Sequence, residues 1–242
     1  MPPSAASGRR AALGLRLQRR RQRLGDLRRG DPLAHIRDRP GAQQLHYELA
    51  GLITGESSWL PAGAWQQCVG TPRFTDGEPI WAAADIGGEW SASALVWINA
   101  EHHVGCAIHH GDSAVLEIAD QVRALAARFE IREITFDMWR AGQLAAELER
   151  EGLTVSAYPQ TDTRMIPASA RLHAAIVEKR LTLPDGPELT QHAANAIAQH
   201  SRRGWRISKP TKRTHIDGIV ALMMSLDRLE NQPRPVEVLG WL

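Results

Sequence analysis

An α/β domain with a mixed five-stranded sheet and helices on both faces is what this chain encodes over residues 77–232. Three patterns carry that expectation. Three short apolar runs between Ile80 and His110 are joined by tight connections, as in an antiparallel meander. Amphipathic helical stretches and short strands then alternate, the order that produces parallel pairing. Finally, an apolar helical run from Thr214 to Leu229 closes the domain, stopped by Pro233 and Pro235.

Ile80–Ile86 is apolar throughout and reads as a buried strand. In Ala92–Ile98 the residues Ala94, Val96 and Ile98 alternate, and Asn99-Ala100-Glu101 supplies a turn. His102–His110 presents Val104, Cys106 and Ile108 on one face. A helix follows with Val115, Ile118, Val122, Leu125 and Phe129 at helical spacing. Ile131–Phe136 is a strand and Trp139–Glu151 a helix, with Gly152 where a helix C-terminus favours glycine. Leu153–Tyr158 is a further strand, ended by Pro159. Helices over 164–180 and 188–200 precede Gly204–Ser208, a short strand. A meander followed by alternating helices and strands is the ribonuclease H-like arrangement, with helices covering both faces of the sheet.

Charge is unevenly spread. The formal net charge is +2, yet residues 1–40 hold 11 Arg against Asp26, Asp31 and Asp38, a net of +8. The remainder holds 18 basic and 24 acidic residues, a net of −6. An Arg-rich arm (1–43, with a weak basic helix over Ala11–Leu27) thus precedes an acidic body, as suits contact with a polyanion. Residues 44–76 form a lead-in segment with a short helical stretch at Leu45–Leu49 and aromatic anchors at Trp59 and Trp65. Residues 233–242 are a tail. Cys68 and Cys106 lack metal-ligand spacing, and two thiols fit a reducing compartment. No stretch approaches the roughly 20 apolar residues of a membrane span, and the basic N-terminus lacks a signal peptide's apolar core.

Asp85, Asp137 and Asp217 stand where apolar strands end or an apolar helix begins. Each also suits a local structural role. Asp85 precedes the Gly87-Gly88 turn, Asp137 stands at a helix N-cap position, and Thr214-His215-Ile216-Asp217 has the spacing of a capping box. In the expected strand order, however, the first strand and the strand after the first helix are neighbours. Carboxylates gathered there repel one another unless cations compensate. Carboxylate oxygens suit hard cations such as Mg²⁺ or Mn²⁺, and a pair of them about 4 Å apart supports phosphodiester hydrolysis.

Trp81–Arg228 resembles the C-terminal nuclease domain of the large terminase subunit of tailed bacteriophages. The likeness lies in Ala84-Asp85-Ile86-Gly87 and in Thr135–Ala141 with Leu144 and Leu148–Gly152. It continues through Pro159-Gln160, Met165, Leu189–Ala196, Lys209 and His215–Leu222. Glu56, Trp59-Leu60-Pro61 and Trp65–Cys68 resemble the family's segment between motor and nuclease. The resemblance implies an endonuclease that cuts double-stranded DNA during phage genome packaging, in the host cytoplasm. Its catalytic and metal-binding residues would be Asp85, Asp137 and Asp217. Read from the residues themselves, Lys209, eight positions before Asp217, is either within reach of a scissile phosphate or a solvated surface lysine, and Arg140 is a candidate contact to the DNA backbone. Expected partners are the small terminase subunit, the portal and a separate ATPase polypeptide, with no membrane role. Arg140 has an alternative use as a surface partner of Glu133.

The chain departs from the family twice. No Gly-Lys pair exists for a phosphate-binding loop, so ATPase activity is not expected from it. Where many relatives carry another acid after the first strand, this chain has Ser91 and Ser93. Two other functions fit the same features: a resolvase- or transposase-type nuclease of the same fold, and a catalytically silent remnant that binds DNA. The pairs His102-His103 and His109-His110 point to opposite strand faces and read as exposed histidines rather than a chelate. His192 and Asn195 share a helix face and read as packing or hydrogen-bonding residues. Trp81 and Trp139 read as anchors near element ends; base stacking is their other use, though nothing in the tryptophan spacing suggests a stacking platform.

Overall fold

The computed structural model describes residues 57–88 and 92–231. The basic arm, the helical stretches expected before residue 50, Glu56, Ser91 and the 233–242 tail lie outside the described residues. Two two-residue strands, β1 (Ser57–Ser58) and β2 (Val69–Gly70), precede the main sheet. β3 (Pro79–Asp85), β4 (Ser93–Asn99) and β5 (Val104–His109) form the antiparallel meander. Helix α1 (Ala114–Ala126) then crosses back so that β6 (Glu130–Phe136) pairs parallel with β3. α2 (Met138–Arg150) leads to β7 (Val155–Ala157), parallel to β6, and the sheet order is β5-β4-β3-β6-β7. This is the mixed five-stranded arrangement expected of a ribonuclease H-like chain.

β3 lies at the centre because it is apolar on both faces. Ile80, Ala82 and Ala84 face a core built with Ile118, Val122, Phe136 and Leu148 from the α1–α2 side. Trp81 and Ala83 face the opposite core, filled by α3 (Asp162–Val177), α4 (Pro187–Asn195) and α5 (Asp217–Glu230). Alternation with period two sends neighbouring residues to opposite layers, and the alanines let helices approach both faces closely. Trp59 and Trp65 do anchor the lead-in. The indole N–H of Trp59 donates to the Ala193 carbonyl at 2.9 Å, and that of Trp65 to Thr190 Oγ1 at 3.1 Å.

Several elements differ from the sequence expectation. Val115 is 36% exposed, and the buried face of α1 is Ala114, Ile118, Ala119, Val122 and Leu125. Phe129 is buried just beyond the helix. The helix expected over 188–200 ends at Asn195, and Ile197–Ser201 forms β9, paired with β10 (Gly204–Ser208) and β1. Here the hairpin turn outweighs local helical propensity. The short strand β8 (Leu183–Pro184) pairs parallel with β2. The strand expected over 153–158 shortens to Val155–Ala157, although Tyr158 remains buried. Among the described residues no helix is long and apolar enough to cross a membrane.

Candidate active site

The register of β3 and β6 builds the first half of the site. Ala84 pairs with Phe136, so the chain delivers Asp85 and Asp137 at the carboxyl ends of adjacent parallel strands. Open α/β sheets bind ligands at that edge, where strand ends and helix N-termini meet. Asp137 also caps α2, its Oδ1 accepting the Trp139 N–H at 3.2 Å.

The second half comes from α5, which packs across β3 and β4 and begins with Asp217. The capping box suggested by Thr214 does not form. Thr214 instead shares a hydroxyl hydrogen bond with Thr211, and Ile216 occupies the cap position. The first turn of α5 is closed from outside, by His192 Nδ1 accepting the Gly218 N–H at 3.0 Å. A Cβ on Gly218 would lie 2.8 Å from Leu189 Cδ1 and 3.1 Å from His192 Nδ1, so a larger residue here would push on both side chains. Asn195 donates to the His215 carbonyl at 3.0 Å. His192 and Asn195 therefore hold the segment that carries Asp217, the hydrogen-bonding use expected of them.

Asp85, Asp137, Asp217, Lys209 and Arg140 all line one open cavity of about 190 Å³, with Ile86, Gly87, Gly88, Trp139 and Gln160. Gln160, just past β7, donates to Asp85 Oδ1 at 3.1 Å. Burial, reinforced by the neighbouring Asp217 and Asp137 charges, pushes the Asp85 carboxyl up to about 7. The Gln160 hydrogen bond and Lys209 oppose that rise. Burial also raises Asp217, against Lys209, His215 and its own helix N–H groups. Asp217 is 6% exposed, and its Oδ2 is buried without a hydrogen-bond partner. An orphaned carboxylate oxygen beside a second carboxyl that burial and like charge disfavour is a donor set that suits a hard cation. Among the described residues, though, no three acidic, His or Cys side chains lie close enough together to hold one ion.

Two cavity residues were not among the expected site residues. Gln160 drew notice only as part of the family likeness. Trp139, taken for an anchor, is 88% exposed. Glu133 pairs with Arg228 at 2.8 Å rather than with Arg140. Ser93 is buried and its Oγ accepts the Gly87 N–H at 3.0 Å, tying the Gly-Gly turn to β4. Of the paired histidines, His102, His103 and His109 are half-buried and only His110 is exposed. His109 and His110 meet Glu117 and Glu188 respectively.

A family model described as "Terminase large subunit, endonuclease domain" matches residues 94–232. No curated protein sequence matches the chain. Among solved structures, the HK97 bacteriophage large terminase superposes with a TM-score of 0.60 at 19% identity, covering 77% of this chain and 49% of that one. The chain thus spans about half the length of that terminase. The large terminase nuclease from thermophilic phage G20c gives 0.58 at 13% identity, covering 71% of this chain and 98% of that one. The same nuclease with bound magnesium gives 0.54 at 16% identity, covering 67% and 93%. These likenesses establish a shared fold, and the family match takes in more than half of the 242 residues. The chain belongs to the endonuclease-domain family of the phage terminase large subunit.

Proposed function

We propose that this domain is a divalent-cation-dependent endonuclease that cuts double-stranded DNA during phage genome packaging. The observation that carries the proposal is the meeting of Asp85, Asp137 and Asp217 with Lys209 and Arg140 around one cavity. Three acids with two cations at the carboxyl edge of a sheet suit a phosphodiester bound beside metal. Asp85, Asp137 and Asp217 would hold Mg²⁺ or Mn²⁺, two ions in the fuller form of the proposal. Such ions supply activation of a water and stabilisation of the departing 3′ oxygen. The magnesium bound by the G20c nuclease supports that choice.

The chain's own residues divide the remaining work. Asp85 is a competent ligand once deprotonated, and Gln160 orients it and favours its charged form. The Lys209 ammonium and the Arg140 guanidinium offer charge to backbone phosphates. Contacts of that kind read little sequence and weaken with salt. A small terminase subunit, a portal and a separate motor polypeptide would direct the cut in the host cytoplasm.

Incubating plasmid with Mn²⁺ and wild type, Asp85→Ala or Asp217→Ala chain tests the proposal. Cleavage by wild type and its loss in both variants is the expected result. Plasmid left equally intact by all three would sink the enzyme reading. It would favour a silent DNA-binding remnant, a rival that draws on the lack of a ready three-ligand cluster among the described residues.

A further inference from the structure

We propose that Trp139 is a stacking subsite for a nucleobase next to the phosphate received by the carboxylate cavity. Under this proposal, DNA locally unpaired at the cut site is the preferred substrate. The inference rests on the nuclease reading and deepens it.

Trp139 stands apart from the tryptophans that anchor the core. Trp59, Trp65 and Trp81 are all buried, at 3%, 4% and 7% exposure, whereas Trp139 is 88% exposed. An indole left in water forgoes the large gain that burying an aromatic ring brings. Its position is also fixed with respect to the acids. The backbone N–H of Trp139 donates to Asp137 Oδ1 at 3.2 Å, so the residue is anchored through its main chain in the very turn that carries a candidate ligand. It borders the same cavity as Asp85, Asp217 and Lys209.

The next residue strengthens the case. The Arg140 guanidinium lies against Gly88, where a Cβ would fall 2.1 Å from its Nη1. An aromatic side chain and a guanidinium therefore both border the same acid-lined cavity. The cations match phosphate, but an indole face has no use for phosphate. It matches the π-face that every base offers whatever its identity. In intact duplex those faces are already stacked on their neighbours, and reaching one means unstacking it. That penalty is smallest where the base is mismatched or unpaired.

The test uses the full chain in EDTA, which separates binding from cleavage. Fluorescence anisotropy compares a labelled duplex containing an internal unpaired bubble with a fully paired duplex of equal length. Loss of one base stack corresponds to about tenfold in affinity. Trp139→Ala is expected to lose about that much on the bubble duplex and little on the paired one, and Trp139→Phe to keep most of the preference. Equal loss on both duplexes, or none on either, would overturn the subsite, the first by showing a general surface contact.

Plasmid cleavage in Mn²⁺, measured separately, tells the two readings apart. A chain that cuts but shows no Trp139-dependent preference keeps the nuclease and loses the subsite. A chain that prefers the bubble through Trp139 but never cuts keeps the subsite and loses the nuclease.

Discussion

His192 Nδ1 accepts the backbone N–H of Gly218 across 3.0 Å, closing the first turn of the helix that begins with the buried Asp217. A helix start left without its own cap exposes unsatisfied N–H groups, and here a side chain from a neighbouring helix meets one of them. His192→Ala removes that acceptor inside the core. The expected loss is about 1–3 kcal/mol of stability, read from urea unfolding.

The same histidine predicts an acid weakness. Burial lowers its pKa from 6.5 to about 4, so the folded chain holds it neutral while the unfolded chain takes up a proton. The unfolded state therefore binds more protons between pH 6.5 and 4, and stability falls as pH drops through that window. His192→Gln should flatten this limb in melting curves. An unchanged limb would count against His192 as its source.

Asp85 works in the opposite direction. Its pKa of about 7 in the folded chain lies above the ordinary 3.8, so between those values the folded state binds the extra proton. The metal-free chain accordingly loses stability as pH rises through that range. Asp85→Asn should match wild type below pH 4 and melt higher above pH 7, by roughly 2–4 °C per kcal/mol of relieved burial cost and repulsion. Calorimetry in EDTA at both ends checks it.

Cation binding should be linked to that proton. Near pH 6 the Asp85 carboxyl is largely protonated, and a metal that binds it must displace the proton. Mn²⁺ affinity is expected to climb with pH up to about 7 and then level off. Titration calorimetry in buffers of different ionisation enthalpy measures the released proton directly. A pH-independent affinity would remove Asp85 from the ligand set.

Gln160 is the positioning residue most open to test, since its amide donates to Asp85 Oδ1 at 3.1 Å and favours the charged form. Gln160→Ala should shift the acid limb of the cleavage profile to higher pH. A hydrogen bond to a charged group is worth about 1.5 kcal/mol, so the loss near pH 6 should be roughly tenfold. At pH 9 the activity should recover, because Asp85 is then ionised without help. A uniform loss at every pH would point to simple misfolding of the loop.

The local pattern of residues determined the main sheet. The central strand Ile80–Ala84 is apolar on consecutive positions, and burial on both sides leaves such a run no other place in an α/β domain. The meander, α1, α2 and α5 were legible for the same reason: each buries a face whose period is written in the chain. Short pairings such as β9 with β10 were not, because a hairpin of a few residues is decided by its turn and its neighbours. Trp139 was misread because periodicity says that a residue begins a helix, not whether anything packs upon it. The expected strand order already made neighbours of the strands that carry Asp85 and Asp137, but that Gln160 and Lys209 line one cavity with Asp85, Asp137 and Asp217 was decided by the tertiary structure. That gathering depends on the parallel register of β3 with β6 and on α5 docking across the sheet, and contacts between residues so distant along the chain leave no trace in any local pattern.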